Sequence, residues 1–181
     1  LLGAKRGYGP PAYPEPTTSP QHDLFTRNGR KPTPTCADAL GDLPDAERCD
    51  GLMTSDSVEC HKWGAISPYA RELRCTSQGA WHYGYSRVWQ PSLLTSSMRT
   101  VHTEISRKRF AATREGEVEP ISRFFKLSRE GICNTLRAGT DSARGAFTSP
   151  RPIHFEFNRC VTVREMARLH GYPDWFRFHV T

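Results

Sequence analysis

Apolar and polar positions in this 181-residue chain keep a helical or strand period only over short stretches. The clearest such stretch lies near the end. Thr162 is followed three residues later by Glu165, the spacing of a capping box, and Val161 and Met166 are placed for a hydrophobic staple. Met166 and Leu169 fall on one face of the predicted helix, while Arg164 and Arg168, four apart, share another. Gly171 suits the left-handed position that ends a helix, and Pro173 stops any continuation. Three further helices are predicted. Thr35 offers an N-cap with Asp38 three residues on, in a short helix ended by Gly41 and Pro44. Ser67 and Pro68 open a second, running to about Cys75, with proline at the first helical position. The third covers His102 to Ala112. Residues 46–66 show no period and read as loop. Residues 76–97 mix Trp81, Tyr83, Tyr85 and Trp89 with Gly and Ser, as in short strands and turns. No internal repeat is visible.

Residues 1–45 hold eight of the 14 prolines and read as extended chain. Leu1, Leu2, Gly3 and Ala4 resemble the tail of a buried strand that leads into a surface crossing. The chain starts at Leu1 rather than Met, so a piece of a longer protein is expected. Its length suits one domain with a modest core. No apolar run approaches the ~18 residues that span a bilayer, and no charged-then-apolar leader is present, so neither a membrane span nor a secretory signal is expected. Six cysteines (Cys36, Cys49, Cys60, Cys75, Cys133, Cys160) have long, irregular gaps and no CxxC couplet. Free, half-buried thiols are expected rather than a zinc site.

Charge changes the picture. The formal net charge is +6, yet residues 1–98 hold 10 basic and 10 acidic side chains. Residues 99–181 hold 15 basic against 9 acidic, and all but Lys108 and Lys126 of those 15 are arginine. Arginine forks onto phosphates and guanine edges, so a basic half of this kind is the footprint of a nucleic-acid binder. A solvated basic face accounts for the same charge. Residues 134–145 (NTLRAGTDSARG) are rich in small and hydroxyl side chains and display Arg137 and Arg144. Glycines permit close backbone approach and Thr or Ser can bond phosphate, although a plain surface loop has the same composition. The aromatics Tyr172, Trp175, Phe176 and Phe178 read as core rather than as a ligand box.

One family brings these features together. The run from Arg159 to Phe176 (RCVTVREMARLHGYPDWF) resembles block IX of the DNA (cytosine-5)-methyltransferases, whose pattern is R-x-x-T-x-R-E-x-A-R-L-x-G-[FY]-P-D. Gly131 to Ala138 (GICNTLRA) resembles the Thr-Leu recognition loop of the same enzymes. The first residues (LLGAKRG), with YPEP at 13–16 and DALGDLP at 38–44, are similar to the stretch after block VIII in those enzymes. These matches fall in order and together span almost the whole chain. The family's Pro-Cys nucleophile and Glu-Asn-Val motifs do not occur here. Its Gln-x-Arg-x-Arg block is expected just before Leu1 and its closing block after Thr181. The glycine-rich cofactor half is missing.

The resemblance therefore implies an α+β fold: a small mixed target-recognition domain of short strands, loops and a few short helices, with the tail of the Rossmann-like catalytic sheet at the N-terminus. It divides the chain into a proline-rich crossing at 1–45, a target-recognition domain at 46–150, and the block IX helix with its aromatic corner at 151–181. It implies double-stranded DNA and the missing catalytic domain as partners, a monomer, and a bacterial, nucleoid-associated place in the cytoplasm. The whole enzyme would transfer methyl from S-adenosylmethionine to C5 of a flipped cytosine, within restriction-modification chemistry. The segment itself would hold no cofactor and be inactive. Thr135, Leu136, Arg137, Thr140 and Arg144 are the first candidates for DNA contact, and Arg99, Arg107, Lys108 and Arg109 for phosphates. Thr162, Arg164, Glu165, Arg168, Pro173 and Asp174 would be structural. A stand-alone specificity module acting in trans, or an RNA- or metal-binding protein, remain the alternatives.

Overall fold

The computed structural model describes residues 3–9, 12–19, 29–77, 88–136 and 151–178. It divides into two units, 1–33 and 34–181. In the first unit two-residue strands β1 (Thr18–Ser19) and β2 (Lys31–Pro32) pair in parallel, Thr18 beside Lys31. The Thr33 N–H donates to Ser19 O (2.9 Å) just beyond the pair. Gly3 and Ala4 are exposed and outside any strand, so the expected sheet tail has no counterpart among the described residues; Leu1 and Leu2 lie outside them.

The second unit starts before the helix that the capping sequence of Thr35 predicts. In α1 (Cys36–Leu40) the Thr35 hydroxyl accepts from Asp38 N–H, and the Asp38 carboxylate accepts from Thr35 N–H (2.9 Å). Cys36, Ala39 and Leu40 face inward and join Leu43, Ala46, Leu52, Leu94, Leu127, Phe155 and Val161 in the main core. Residues 46–66, expected as loop, instead contain two 3-10 turns, Ala46–Arg48 and Asp50–Met53, and the strand β3 (Val58–Glu59). The cause is local: Asp45 caps the first turn by accepting from Glu47 N–H, and Leu52 is wholly buried at the second. Neither signal has a period. Helix α2 (Pro68–Leu73) is capped by Ser67, and β3 pairs antiparallel with β4 (Leu93–Leu94).

Helix α3 (Glu104–Ala112) begins two residues later than predicted because Thr103 takes the cap. It buries a single side chain, Phe110, which meets Ile153 and Cys160 in a second, smaller core cluster. Isolated bridges join Val118 to Phe125, Lys126 to Ile153 and Ile153 to Cys160. Helix α4 (Val163–Leu169) closes the unit and packs on α1. Gly171, at φ +80°, ends it in the left-handed conformation that glycine adopts without steric cost. Short strands and short helices around a main core and a smaller one make a mixed α and β unit.

Candidate nucleic-acid interface

Helix α4 turns its arginines inward. Arg168 is 0% exposed, and all five of its N–H groups are used. Nε and one terminal nitrogen donate to Asp174 (2.6 Å each), while the other nitrogen donates to Asp42 (2.8 Å) and to Ala39 O (2.9 Å). A fifth contact runs to Asp42 Oδ2 (3.3 Å). Asp42 also binds Arg74, whose guanidinium lies against the Trp63 and Trp89 rings at 4.5 and 4.4 Å. Arg164 donates to Thr95 Oγ1 (2.8 Å), Thr95 O, Pro173 O and Phe176 O (2.6 Å). One helix thus clamps α1, α2, the chain at Thr95 just after β4, and the chain from Pro173 to Phe176. An arginine has the donors to do this in a buried site, where an unpaired polar group is costly.

A second charged group starts the same helix. Thr162 accepts from Glu165 N–H (3.2 Å) and its own N–H donates to the Glu165 carboxylate (2.6 Å). Arg159 forks onto that carboxylate (2.8 and 2.9 Å) and also reaches Asp45 (3.3 Å). Burial opposes ionisation of Glu165, but Arg159 and these donors win, holding the acid at about 2. Beside it His154 is buried, and its Nδ1 accepts from the N–H groups of Glu156 (3.0 Å) and Phe157 (3.2 Å). Burial pushes this imidazole down to about 4, so it is neutral at physiological pH. All six block IX positions therefore make internal contacts: Thr162, Arg164, Glu165, Arg168, Pro173 and Asp174 are buried and bonded within the protein.

The basic residues of the middle segment are differently placed. Arg107 forks onto Glu47, Arg99 lies 3.7 Å from Asp50, and Arg109 lies 3.7 Å from Glu119. Lys108 is exposed and has no carboxylate partner among the described residues. The run is thus partly a strut: two of its three cations hold carboxylates of neighbouring segments. The candidate recognition loop leaves directly from the start of α1, where Cys36 N–H donates to Gly131 O (2.9 Å) and Ala37 N–H to Arg129 O (3.0 Å). Thr135 is exposed and Leu136 half-buried. Arg137, Thr140 and Arg144 lie outside the described residues.

The aromatic corner expected as core is only partly so. Tyr172, Phe176 and Phe178 pack on one another with ring centroids 4.9–5.3 Å apart, yet Tyr172 and Phe176 stay 42% and 36% exposed. All six cysteines are free, three of them buried, and the described residues hold no group of three or more metal-ligating side chains. Sequence reasoning missed the Arg74–Trp63–Trp89 stack and the buried acid Glu119, although Pro120 after Glu119 is a turn signal.

Comparison with known proteins adds the decisive observation. The whole chain aligns at 54% identity with the type II methyltransferase M.XorII of Xanthomonas oryzae pv. oryzae. The chain is homologous, end to end, to part of a type II DNA methyltransferase. It spans 39% of that relative's length. A crystal structure assigned to a DNA modification methyltransferase encoded within an E. coli prophage superposes with a TM-score of 0.54 at 29% identity, covering 83% of this chain and 40% of its own. No protein-family model matches the chain. No helix among the described residues is long and apolar enough to cross a membrane. The buried arginine hub and the start of the candidate loop, up to Leu136, belong to the same unit.

Proposed function

We propose that this chain is the DNA-reading segment of a DNA (cytosine-5)-methyltransferase, built to clamp a duplex and to recognise bases around the target cytosine. The observation that carries this is the likeness of the whole chain to part of a type II methyltransferase, in a segment without the Pro-Cys and Glu-Asn-Val motifs. S-adenosylmethionine would supply the methyl group in the whole enzyme, and the motif that holds it belongs, by resemblance, to the part outside this chain. The residues here act on DNA only. The α4 hub fixes α1, α1 carries the root of the loop, and the loop then presents Thr135, Leu136, Arg137, Thr140 and Arg144 to the duplex. Thr side chains and backbone N–H groups set register on phosphates, and an arginine fork reads a guanine edge. Lys108 supplies a phosphate contact. Arg99, Arg107 and Arg109 reach phosphates only by sharing or leaving Asp50, Glu47 and Glu119, so their contribution is mainly positional.

The test is a titration of the purified 181-residue chain with duplex DNA at several salt concentrations. If about four phosphates are neutralised, log K falls against log salt with a slope near −3.6. Binding is accompanied by no methyl incorporation when S-adenosylmethionine is added, because the nucleophile is absent. A flat salt dependence contradicts the electrostatic part of the proposal, and methyl transfer by this chain contradicts the division of labour.

A further inference from the structure

The candidate reading loop, residues 134–145, is bracketed by two described segments that lie side by side, 125–131 before it and 151–156 after it. Lys126 bridges Ile153 in parallel, with Leu127 N–H donating to Ile153 O (2.9 Å) and Ile153 N–H to Phe125 O (2.8 Å). Leu127 and Ile153 are wholly buried, so this pair of segments is rooted in the core. Nearer the loop the outgoing segment meets α1. A helix leaves its first N–H groups without acceptors of its own. Here Cys36 N–H and Ala37 N–H donate to Gly131 O (2.9 Å) and Arg129 O (3.0 Å). The outgoing chain turns at this point, Gly131 N–H donating to Ser128 O (3.1 Å), and a Cβ on Gly131 would come within 2.9 Å of Ser128 Cβ.

The side chain of Arg129 ties this outgoing segment to the returning one. One terminal nitrogen donates to the Glu156 carboxylate (2.8 Å), and the guanidinium carbon lies 4.6 Å from the centre of the Phe155 ring. Phe155 is a core residue, 4% exposed, whereas the side chains of Arg129 and Glu156 are 45% and 51% exposed. Arg129 N–H donates to the Glu115 carboxylate (2.6 Å), which adds the turn after α3 to the same junction. A planar guanidinium stacks on a ring and donates to a carboxylate at once, a combination for which lysine is a poor substitute. An ion pair this exposed contributes little to folding stability, and backbone bonds and core contacts already join the two segments. An acid beside a loop that approaches phosphates also opposes binding. The use of Glu156 therefore lies in what it holds.

We propose that Arg129 is a positioning residue for base discrimination: through Glu156 and Phe155 it fixes the two ends of the loop relative to each other, so that Thr135 to Arg144 meet the duplex in one register. This rests on the chain being a DNA-reading segment. Arg129 itself reads no base. A small rotation of one segment against the other is magnified along the loop, so a contact at the base governs contacts further out. The effect falls on discrimination among sites rather than on affinity for DNA in general, because phosphate contacts elsewhere carry no sequence information.

The test uses the intact methyltransferase containing this chain. It compares kcat/KM on a duplex carrying the enzyme's site with kcat/KM on duplexes changed at one base of that site. Arg129→Ala and Glu156→Gln both lower the ratio of matched to changed duplex severalfold, while their melting midpoints stay close to the parent. Arg129→Lys falls between Arg129→Ala and the parent. The exchanged pair, Arg129→Glu with Glu156→Arg, discriminates better than either of those substitutions alone. A merely structural contact does not give this split, because a less stable enzyme loses activity on every duplex alike. Parent-like discrimination in Arg129→Ala and Glu156→Gln overturns the proposal, as does a loss that follows the melting midpoint across the variants. Direct phosphate contact by Arg129 also overturns it: Arg129→Ala would then weaken all duplexes alike, with a salt slope shallower by about 0.9, and Glu156→Gln would strengthen them. If the parent does not discriminate among these duplexes, the DNA-reading role itself falls. Parent discrimination with silent variants overturns the positioning role alone.

Discussion

At the scale of single residues, Arg168 is the most constrained side chain in the protein. Its five N–H groups meet Asp42, Asp174 and a carbonyl while it is wholly removed from solvent. Removing one member of such a group leaves uncompensated buried charge, which costs about 3–5 kcal/mol. Arg168→Ala is therefore expected to remove much of the stability of a domain that typically has only ~5–15 kcal/mol. Arg168→Lys should be nearly as damaging, because an ammonium has three donors and cannot fork onto two carboxylates. Denaturant unfolding of both variants checks this, and a parent-like Lys variant contradicts it. Thr162 is a milder case. Losing an N-cap threonine costs about 1 kcal/mol, or roughly 2–4 °C in melting midpoint for a chain of this size. Thr162→Ser keeps the hydroxyl and should be silent. Thr162→Asp, an equally good cap in isolation, should be destabilising here because its carboxylate would face buried Glu165.

At the scale of elements, the start of α4 sets the acid stability of the fold. His154 titrates at about 4 in the folded protein against an ordinary 6.5, because burial disfavours the charged ring. A depressed pKa of this kind contributes stability that is complete above 6.5 and is lost as pH falls towards 4. Glu165 is held at about 2 against an ordinary 4.5, so its contribution is complete above 4.5 and is lost as pH falls towards 2. Unfolding free energy measured against pH should therefore decline in two steps, the first beginning near 6.5. His154→Asn, which can keep an acceptor for the two backbone donors, should shrink the first step without abolishing it, because burial also lowers half-buried His102, and should retain the second. A single step below 4.5 in the parent protein would contradict this account. The element scale also shows what was legible in advance. The caps Thr35, Ser67 and Thr162 mark helix starts correctly because capping is a local hydrogen bond between near neighbours in sequence. The turns at 46–53 escaped because Leu52 owes its place to packing across the fold, which leaves no period. The Glu119 hairpin escaped for a related reason: an acid between Val118 and Pro120 reads as surface until Arg109 is placed beside it.

At the scale of the whole molecule, the formal charge overstates what is offered to a partner. Arg159, Arg164 and Arg168 are buried, and Arg99, Arg107 and Arg109 already face carboxylates. Counting basic residues in a sequence cannot separate these from Lys108, Arg114 and Arg123, which stand exposed. The separation depends on acids distant in the chain, as with Asp42 and Arg168 or Glu47 and Arg107. Block IX was legible as a motif, whereas the depth of its arginines was not, because an (i, i+4) arginine pair normally marks a solvated face. Under the proposed division of labour between a buried hub and a DNA-reading loop, Arg137 is the residue on which the account turns. The most direct measurement is the methylation pattern that the intact enzyme leaves on a DNA pool, compared among parent, Arg137→Ala and Lys108→Ala. An arginine fork to guanine is worth roughly 1–3 kcal/mol at one base position, so Arg137→Ala should admit sites that differ at a single base. Lys108→Ala should lower methylation at all sites alike. An Arg137→Ala enzyme that keeps the parent site and merely works more slowly would contradict the account.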